Sequence, residues 1–590
     1  MNPSQPRDTS MYKYLDPAKH LIRILRLLPG THHDPIKCTL WTADLDGGPD
    51  YEALSYTWGD LNASRSMIHV DGHAVDITLN LEAALRRLRW ETENRDLWVD
   101  ALCINQADDK EKSQQVRQMG LVYSRTTQAI VWLGDYAEND DPGYDRKDPE
   151  ITALTRDEVS LAFRLVEFTA SGQHAPGDNE EHEDTGQPKM SADVMTVAAP
   201  ALQKLMQVSR WRRIWTVQEF ILPKQAILVY GTQHISRATM TRGCAASLGH
   251  FFARCCNYPD RTLRTYWDKI DAIRCIMRDG KYDDRIFWEA LNMFRERGAS
   301  NPKDRLYALL GLGSDLQPDY TLALEDVFMG AVRASIESTG TLHSLLRTHE
   351  VARSPEVPRW APDWCAQLPD HTWHSVSMPW YYQYEFYDAV KGKRANTRPP
   401  RDSSELCLQG FIIDRVRAAV PASWWDVGFR GKVAACQALA DETAERHGNA
   451  YPRGGGTYDD AWWRTAVADM SFYGDGQNYL RAGPEDEASC RAYLRSEVAS
   501  DLRGSSVQLT DKSFFSTETG MLGLCAETVE VGDIVSVLFG GRMPFVLRPR
   551  GERVDDGTTK YEFVGQAYVH GIMDGEVLEE KRDPAWISLC

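Results

Sequence analysis

The sequence predicts an α/β protein: a parallel sheet with helices in its N-terminal third, then an α-rich region, then a C-terminal α+β part ending in a small β-rich module. Three observations predict it. The apolar run AIVWL (Ala129–Leu133) follows the buried strand opening LWVDALCINQ, with an amphipathic helix between them, the spacing of a right-handed parallel βαβ unit. Residues from about 236 to 345 carry helical periodicity, and beyond about Ser506 short apolar runs alternate with glycines. At 590 residues the chain is too long for one core. The expected segments are lead-in strands over 1–50, an α/β domain over 51–235 with an acidic insertion at about 136–208, an α-rich region over 236–400, and the C-terminal region over 401–590.

Composition narrows the function classes. A hydrophobic content of 42% with 26% charged residues is that of a globular protein, and a net charge of −18 argues against nucleic-acid or anionic-membrane binding. No run of eighteen apolar residues or secretory leader is apparent, so no membrane span and a cytoplasmic location are expected. The twelve cysteines include no CxxC pair, which fits reduced core thiols better than disulfides or a metal site.

In order, Leu21–Leu28 and Ile36–Trp41 read as strands. YEALSYTWGD (Tyr51–Asp60) is an apolar strand leaving a sheet into a loop. Met67–Val70 and Ala74–Ile77 flank Asp71-Gly72, a tight hairpin turn, and Asn80 is placed to cap the next helix. Asp108 and Glu111 offer a capping box for a helix carrying Val116, Met119, Val122 and Tyr123. Ser171–Lys189, with five acidic residues, reads as a mobile loop. In WRRIWTVQEF (Trp211–Phe220), a helix would place Trp211, Trp215 and Glu219 on one face, an aromatic stripe ending in an acid. Ala226–Tyr230 returns as a strand.

Further on, NPKDRLYALLGL (Asn301–Leu312) suggests a helix started by Pro302 and stopped by Gly311, with Lys303, Asp304 and Arg305 in structural ion pairs. PRWAPDWC (Pro358–Cys365) reads as a turn anchored by Trp360 and Trp364, and Lys391–Arg401 as a linker. Leu406–Val416 reads as a strand, Val433–Arg446 and Tyr458–Met470 as helices. Ile534–Leu538, Pro544–Leu547, Tyr561–Val564 and Ala567–Val569 read as strands of a small barrel or sheet.

In this order, YEALSYTWGD, LWVDALCINQADDKEKSQQVRQMGLVYSRTTQAIVWLGD and WRRIWTVQEF resemble the three blocks of the fungal heterokaryon-incompatibility (HET) domain. NPKDRLYALLGL, PRWAPDWC and GQAYVHGIMDGE (Gly565–Glu576) are similar to segments of large HET-domain proteins. The resemblance implies an intracellular fungal protein linked to non-self recognition and programmed cell death. The HET domain in turn resembles the Toll/interleukin-1 receptor (TIR) domain, a flavodoxin-like parallel sheet. In TIR enzymes that cleave NAD, a pattern of Trp, Cys, two variable residues and Glu carries the catalytic acid. Trp215 to Glu219 is similar to it, with Thr216 at the Cys position.

The resemblance therefore implies Glu219 as a candidate catalytic residue with NAD as a possible substrate; no cofactor or metal is expected. Ligands of parallel sheets bind beyond the carboxyl ends of the strands, which places Trp58, Gly59, Asp60, Asp100 and Asn105 at the expected mouth. Trp215 or Trp58 can stack on a ring, and Arg210, Arg212 or Arg213 can meet the pyrophosphate. Each residue also has an ordinary role: a capping or ion-pairing acid for Glu219, packing for Trp215, a solvated face for the arginines, loop hydrogen bonding for Asp100 and Asn105. Two functions stay open: an NAD-consuming effector activated by self-association, and a non-enzymatic module that signals through a protein partner.

Overall fold

A computed structural model describes residues 11–58, 65–136, 154–173, 192–253, 260–278, 280–346, 350, 352–367, 384–422, 428–473, 478–495, 509, 512–553 and 559–590. Most of the acidic stretch Ser171–Lys189 lies outside them, as do Gly59 and Asp60. The chain forms two compact units, 1–321 and 322–590, which divide the α-rich stretch 236–400 between them.

Unit 1 holds a nine-stranded sheet. Its strands are β1 (Leu21–Leu27), β2 (Lys37–Asp44), β3 (Glu52–Ser55), β4 (Arg65–Val70), β5 (His73–Thr78), β6 (Arg95–Trp98), β7 (Gln128–Gly134), β8 (Ala226–Tyr230) and β9 (Gln233–Ser236), in the order β5-β4-β2-β1-β6-β3-β7-β8-β9. The four central strands β6, β3, β7 and β8 are mutually parallel, in registers such as Ala53 opposite Trp98, Leu54 opposite Ile130 and Ile130 opposite Ile227. Antiparallel pairings of β1 with β6 and of β8 with β9 make the whole sheet mixed rather than parallel. The lead-in strands are thus part of this sheet, because Ile22, Ile24, Leu25 and Leu27 are all buried in it. The β4–β5 turn has Asp71 and Gly72 both at positive φ, 50° and 83°, the backbone of a type I′ hairpin.

Helix α1 (Leu79–Leu88) is capped by Thr78, whose hydroxyl accepts from the Leu81 N–H. Asn80 instead lies inside the helix, donating to the Thr57 carbonyl at 2.7 Å and accepting from the Trp132 indole at 3.0 Å, so it fastens the chain leaving β3. After β6 comes the single turn α2 (Asp100–Cys103), then α3 (Asp109–Arg125), capped by Asp108. Glu111 closes no capping box: Arg23, buried on β1, grips its two oxygens at 2.6 and 2.9 Å. Tyr51 and Tyr123 pin α3 to β3 through the Val122 and Leu54 carbonyls.

The insertion between β7 and WRRIWTVQEF holds two helices, α4 (Arg156–Ala170) and α5 (Ala192–Leu205), on either side of the expected acidic loop Ser171–Lys189. Their apolar faces, including Val159, Phe163, Val166, Ala198 and Leu202, are buried, which is why they order. The block itself is no continuous helix. Ser209–Arg212 is a 3-10 turn, the chain extends at Arg213, and the short α6 (Thr216–Ile221) follows. The expected stripe is therefore broken, and Trp211 packs edge-on against Phe220 with its indole N–H on the Leu205 carbonyl. Helices α7 (Arg237–Ala253), α8 (Asp260–Met277), α9 (Asp284–Met293) and the turn α10 (Asp304–Tyr307) complete the unit. Gly311 does not stop a helix by its own conformation. Its Cα abuts Gly120 of α3 so closely that an added Cβ would stand 2.8 Å from it, and the left-handed residue is Gly313. Among the described residues Lys303 and Arg305 form no ion pairs; they donate to backbone carbonyls of Tyr320, Arg295 and Arg297.

In unit 2, α11 (Leu324–Thr339) packs its Phe328 edge-on against Trp364, and Trp360 is equally buried, as expected of a packing anchor. The tract 391–401 is tied down by β10 (Thr397–Arg398), which pairs with β11 (Leu406–Val420), so it is no free linker. Helix α12 (Gly428–His447), α13 (Tyr458–Ala466), the hairpin β12 (Met470–Tyr473) and β13 (Asn478–Arg481), and α14 (Glu487–Arg495) follow. The end of the chain adds β14 (Ser513–Thr517), β15 (Leu522–Cys525), β16 (Ile534–Leu538), β17 (Phe545–Arg553), β18 (Thr559–Val569) and β19 (Ala585–Leu589). Strand β11 pairs with β14 through Val416–Val420 and with β16 through Gly410–Arg415, so the ring β11-β14-β15-β18-β17-β16 closes as an antiparallel barrel. Its core holds Phe411, Phe515, Val535, Val546 and Val569. No described helix is long and apolar enough to cross a membrane.

Candidate active site

Strands β3 and β6 are adjacent and parallel, so the residues just past their carboxyl ends are brought together. Ser55 is the last residue of β3, and its hydroxyl donates to Oε2 of Glu219 on α6. Glu219 is 6% exposed, and burial pushes its carboxyl up. Arg210 nearby, the Ser55 hydroxyl and Arg213 act the other way, and the charge of Asp100 adds to the rise. Asp100 opens α2 directly after β6; burial raises it too, against the Trp58 indole at 2.8 Å, Arg213 and the Tyr56 hydroxyl. Tyr56 lies within the fields of both acids, and burial holds its phenol well above its usual range.

Of the expected site residues, Trp58, Asp100, Arg213 and Glu219 thus converge. Arg213 also donates to the Tyr56 carbonyl at 3.3 Å. Trp215 is turned to a carboxylate absent from the expected set: its indole and the Tyr320 hydroxyl, at 2.7 Å, both hydrogen-bond Asp304, whose carboxyl is raised chiefly by burial. Arg213 faces Asp304 as well, and Lys112 reaches the same acid. Asn105 is occupied locally, its side chain accepting from the Ala107 N–H at 3.2 Å and its own N–H bound to Glu111. Arg210 faces Glu219 from the interior rather than the mouth.

Sequence reading missed Ser55 and Asp304 as site residues. Ser55 lies inside the first block, but a serine in an apolar strand carries no sign of its partner 164 residues away. Asp304 is disguised by the flanking Lys303 and Arg305. A cavity of about 40 Å³ adjoins the mouth, lined by Tyr56, Trp58, Thr78, Leu81, Ala101 and Leu102 among others. It has room for roughly three water molecules. Glu219 does not line it, and Tyr56 belongs to both. Among the described residues no group of three or more His, Cys, Asp or Glu side chains is arranged to hold a metal ion.

Chemically, the arrangement offers two buried carboxyls with elevated proton affinity, a phenol close to both, an arginine that can balance either, and the Trp58 indole on Asp100. Such a constellation suits stabilising positive charge on a bound group.

Comparison with known proteins agrees with this architecture. Residues 51–219 match the family described as heterokaryon incompatibility protein (HET), a span that ends on Glu219. Residues 496–586 match the Het-6 beta-barrel domain, the larger part of the closed barrel. Over 96% of this chain and 95% of the relative, the sequence is 24% identical to heterokaryon incompatibility protein 6, OR allele, of Neurospora crassa. No solved structure matches the chain. The chain belongs to the heterokaryon-incompatibility (HET) domain proteins, carrying a HET domain at residues 51–219 and a Het-6 β-barrel domain at residues 496–586.

Proposed function

We propose that this protein acts in fungal non-self recognition and cell death, and that unit 1 cleaves the bond between nicotinamide and ribose in NAD. The name of the Neurospora relative, a heterokaryon incompatibility protein, supports the role in non-self recognition. The observation that carries the second is the meeting of Glu219 and Asp100, across Ser55 and Tyr56, at the carboxyl ends of the parallel strands β3 and β6.

In this reading Glu219 hydrogen-bonds the ribose hydroxyls and stabilises the oxocarbenium-like transition state. The leaving pyridine departs neutral from a cationic ring, so no general acid is needed for it. Water then adds to the ribose carbon and releases a proton, giving ADP-ribose and nicotinamide. The substrate's positive ring favours the ionised form of Glu219, offsetting the burial that raises it in the free protein. Trp58, fixed by its bond to Asp100, offers a face for ring stacking. The TIR-like pattern of Trp215 and Glu219 supports the same assignment.

A second reading draws on the tightness of the site. Among the described residues Glu219 is 6% exposed, and the cavity of about 40 Å³ beside it is too small for a dinucleotide. Either self-association opens it, or the unit signals through a protein partner without chemistry. The deciding experiment measures NAD loss by the purified chain, alone and under conditions that drive oligomerisation, beside Glu219→Gln. Loss of NAD that disappears in Glu219→Gln is expected. No NAD loss under any of these conditions, with toxicity retained by Glu219→Gln cells, would establish the partner reading instead.

A further inference from the structure

Close to Glu219 lies a second cluster, and it is cationic. Arg210 is 1% exposed, yet Nε, Nη1 and Nη2 all find no hydrogen-bond partner among the described residues. Its guanidinium rests against the rings of Trp211 and Phe220 at 5.7 and 5.9 Å, contacts that satisfy none of its five N–H groups. Burying such donors without acceptors is strongly unfavourable, and more so for a charged group.

Arg297 approaches from the segment after α9. It is 8% exposed, rests on the Phe294 ring at 4.9 Å and donates from Nη1 to the Thr216 hydroxyl at 3.2 Å. That hydroxyl donates in turn to the Arg210 and Arg213 carbonyls, so the two arginines share one scaffold. Burial lowers Arg210 to about 10 and Arg297 to about 9, the latter also through the charge of Arg210; both stay protonated at neutral pH. Half-buried Lys269 on α8 feels Arg297 and Arg212, and Arg212 itself is exposed. The cations therefore form a graded series from surface to interior. The acids that face them are Glu219 toward Arg210, and Asp268 and Glu296 toward Lys269.

We propose that Arg210 and Arg297, with Lys269 and Arg212 on the outer side, form a binding site for a phosphate-type oxyanion. A tetrahedral dianion supplies the acceptors that the Arg210 guanidinium lacks and screens the two like charges from each other. In a chain of net charge −18, two buried arginines with Lys269 and Arg212 on their outer side concentrate an anion that the rest of the surface repels. The site does not rest on NAD cleavage; it stands on these residues alone.

The test is thermal unfolding and calorimetric titration of the full chain with inorganic phosphate, and separately with ADP-ribose, against sodium chloride at matched ionic strength. Phosphate should raise the unfolding temperature saturably where chloride does not. Arg297→Gln, which keeps an N–H for Thr216, should abolish the response, and Lys269→Gln, at a half-buried position, should weaken binding roughly tenfold. If ADP-ribose acts at much lower concentration than phosphate, and Arg297→Gln removes that too, the oxyanion belongs to a nucleotide; equal potency assigns it to the free ion. Glu219→Gln should retain the phosphate response, which separates this site from the proposed chemistry. No saturable response in the native chain, or an undiminished one in Arg297→Gln, overturns the proposal.

Discussion

Replacing Gly311 by alanine tests whether the contact between α3 and the segment after α10 holds unit 1 together. The added Cβ would stand 2.8 Å from the Gly120 Cα, 2.8 Å from Leu222 Cδ1 and 2.9 Å from Gln218 Oε1. Relaxed carbon contacts lie at about 3.5–4.0 Å, so the overlap is roughly 0.7–1.2 Å, and one of the partners is backbone that cannot rotate away. Overpacking of this kind costs about 1–3 kcal/mol, and the backbone partner places Gly311→Ala at about 2–3. A loss of that size lowers the unfolding temperature by roughly 3–5 °C for a unit of 321 residues. Scanning calorimetry of the full chain, reading the transition of unit 1, measures it. Gly120→Ala meets the same contact from the other side and should cost a similar amount. Because Gln218 and Leu222 flank Glu219, any relief of the overlap moves α6, and NAD turnover should fall along with stability. A change below about 0.5 kcal/mol in either variant would refute the reasoning, since such a value is typical of surface sites.

Three further outcomes follow from the geometry. Glu219 is raised above its ordinary value of 4.5, so its contribution to stability is fully present below that value and lost as pH rises through the folded value, by up to about 1.4 kcal/mol per pH unit. Glu219→Gln should therefore gain stability relative to the native chain as pH climbs from about 4.5 towards neutrality, and denaturant midpoints across that range that run parallel for the two proteins contradict the assignment. Arg23→Met leaves the part-buried Glu111 without its bidentate partner and the Cys103 carbonyl without its donor; a loss of about 3 kcal/mol is expected in urea unfolding. Trp58→Phe keeps a ring but removes the 2.8 Å bond to Asp100, and should cut NAD turnover several-fold with a smaller effect on unfolding temperature; unchanged kinetics would remove Trp58 from the site.

Strands of both sheets were legible where they are short apolar runs with clear ends: Ala226–Tyr230 in unit 1 and Ile534–Leu538 in the barrel match their strands residue for residue. Local turn chemistry was equally readable at Asp71-Gly72. What escaped were features fixed by partners distant in the chain. Asn80 reads as a cap by residue type, but Thr57 and Trp132 claim its side chain. Trp211, Trp215 and Glu219 keep helical spacing, yet the chain extends at Arg213, where the Ile214 N–H bonds the Gly298 carbonyl, so a bridge formed 84 residues on overrides the period. The split of 561–569 into two strands failed because Gly565 continues β18 past the Glu527 side chain. At the site, Glu219 was found through a family pattern, while Ser55 and Asp304 needed the fold.

The span matching the HET family, 51–219, omits β1, β2, β8 and β9. A fragment cut at those limits would strip β6 of its neighbour β1 and β7 of its neighbour β8, leaving both margins of the parallel core with unpaired backbone groups. It would also lose Asp304, Arg23 and Arg297. Such a piece is primed to pair with copies of itself or with other chains, so toxicity or self-assembly seen with it reports on two raw sheet edges. A fragment running from the start of β1 through Thr321 closes those edges and keeps Asp304, Arg23 and Arg297, and it is a form in which self-association becomes informative about the protein.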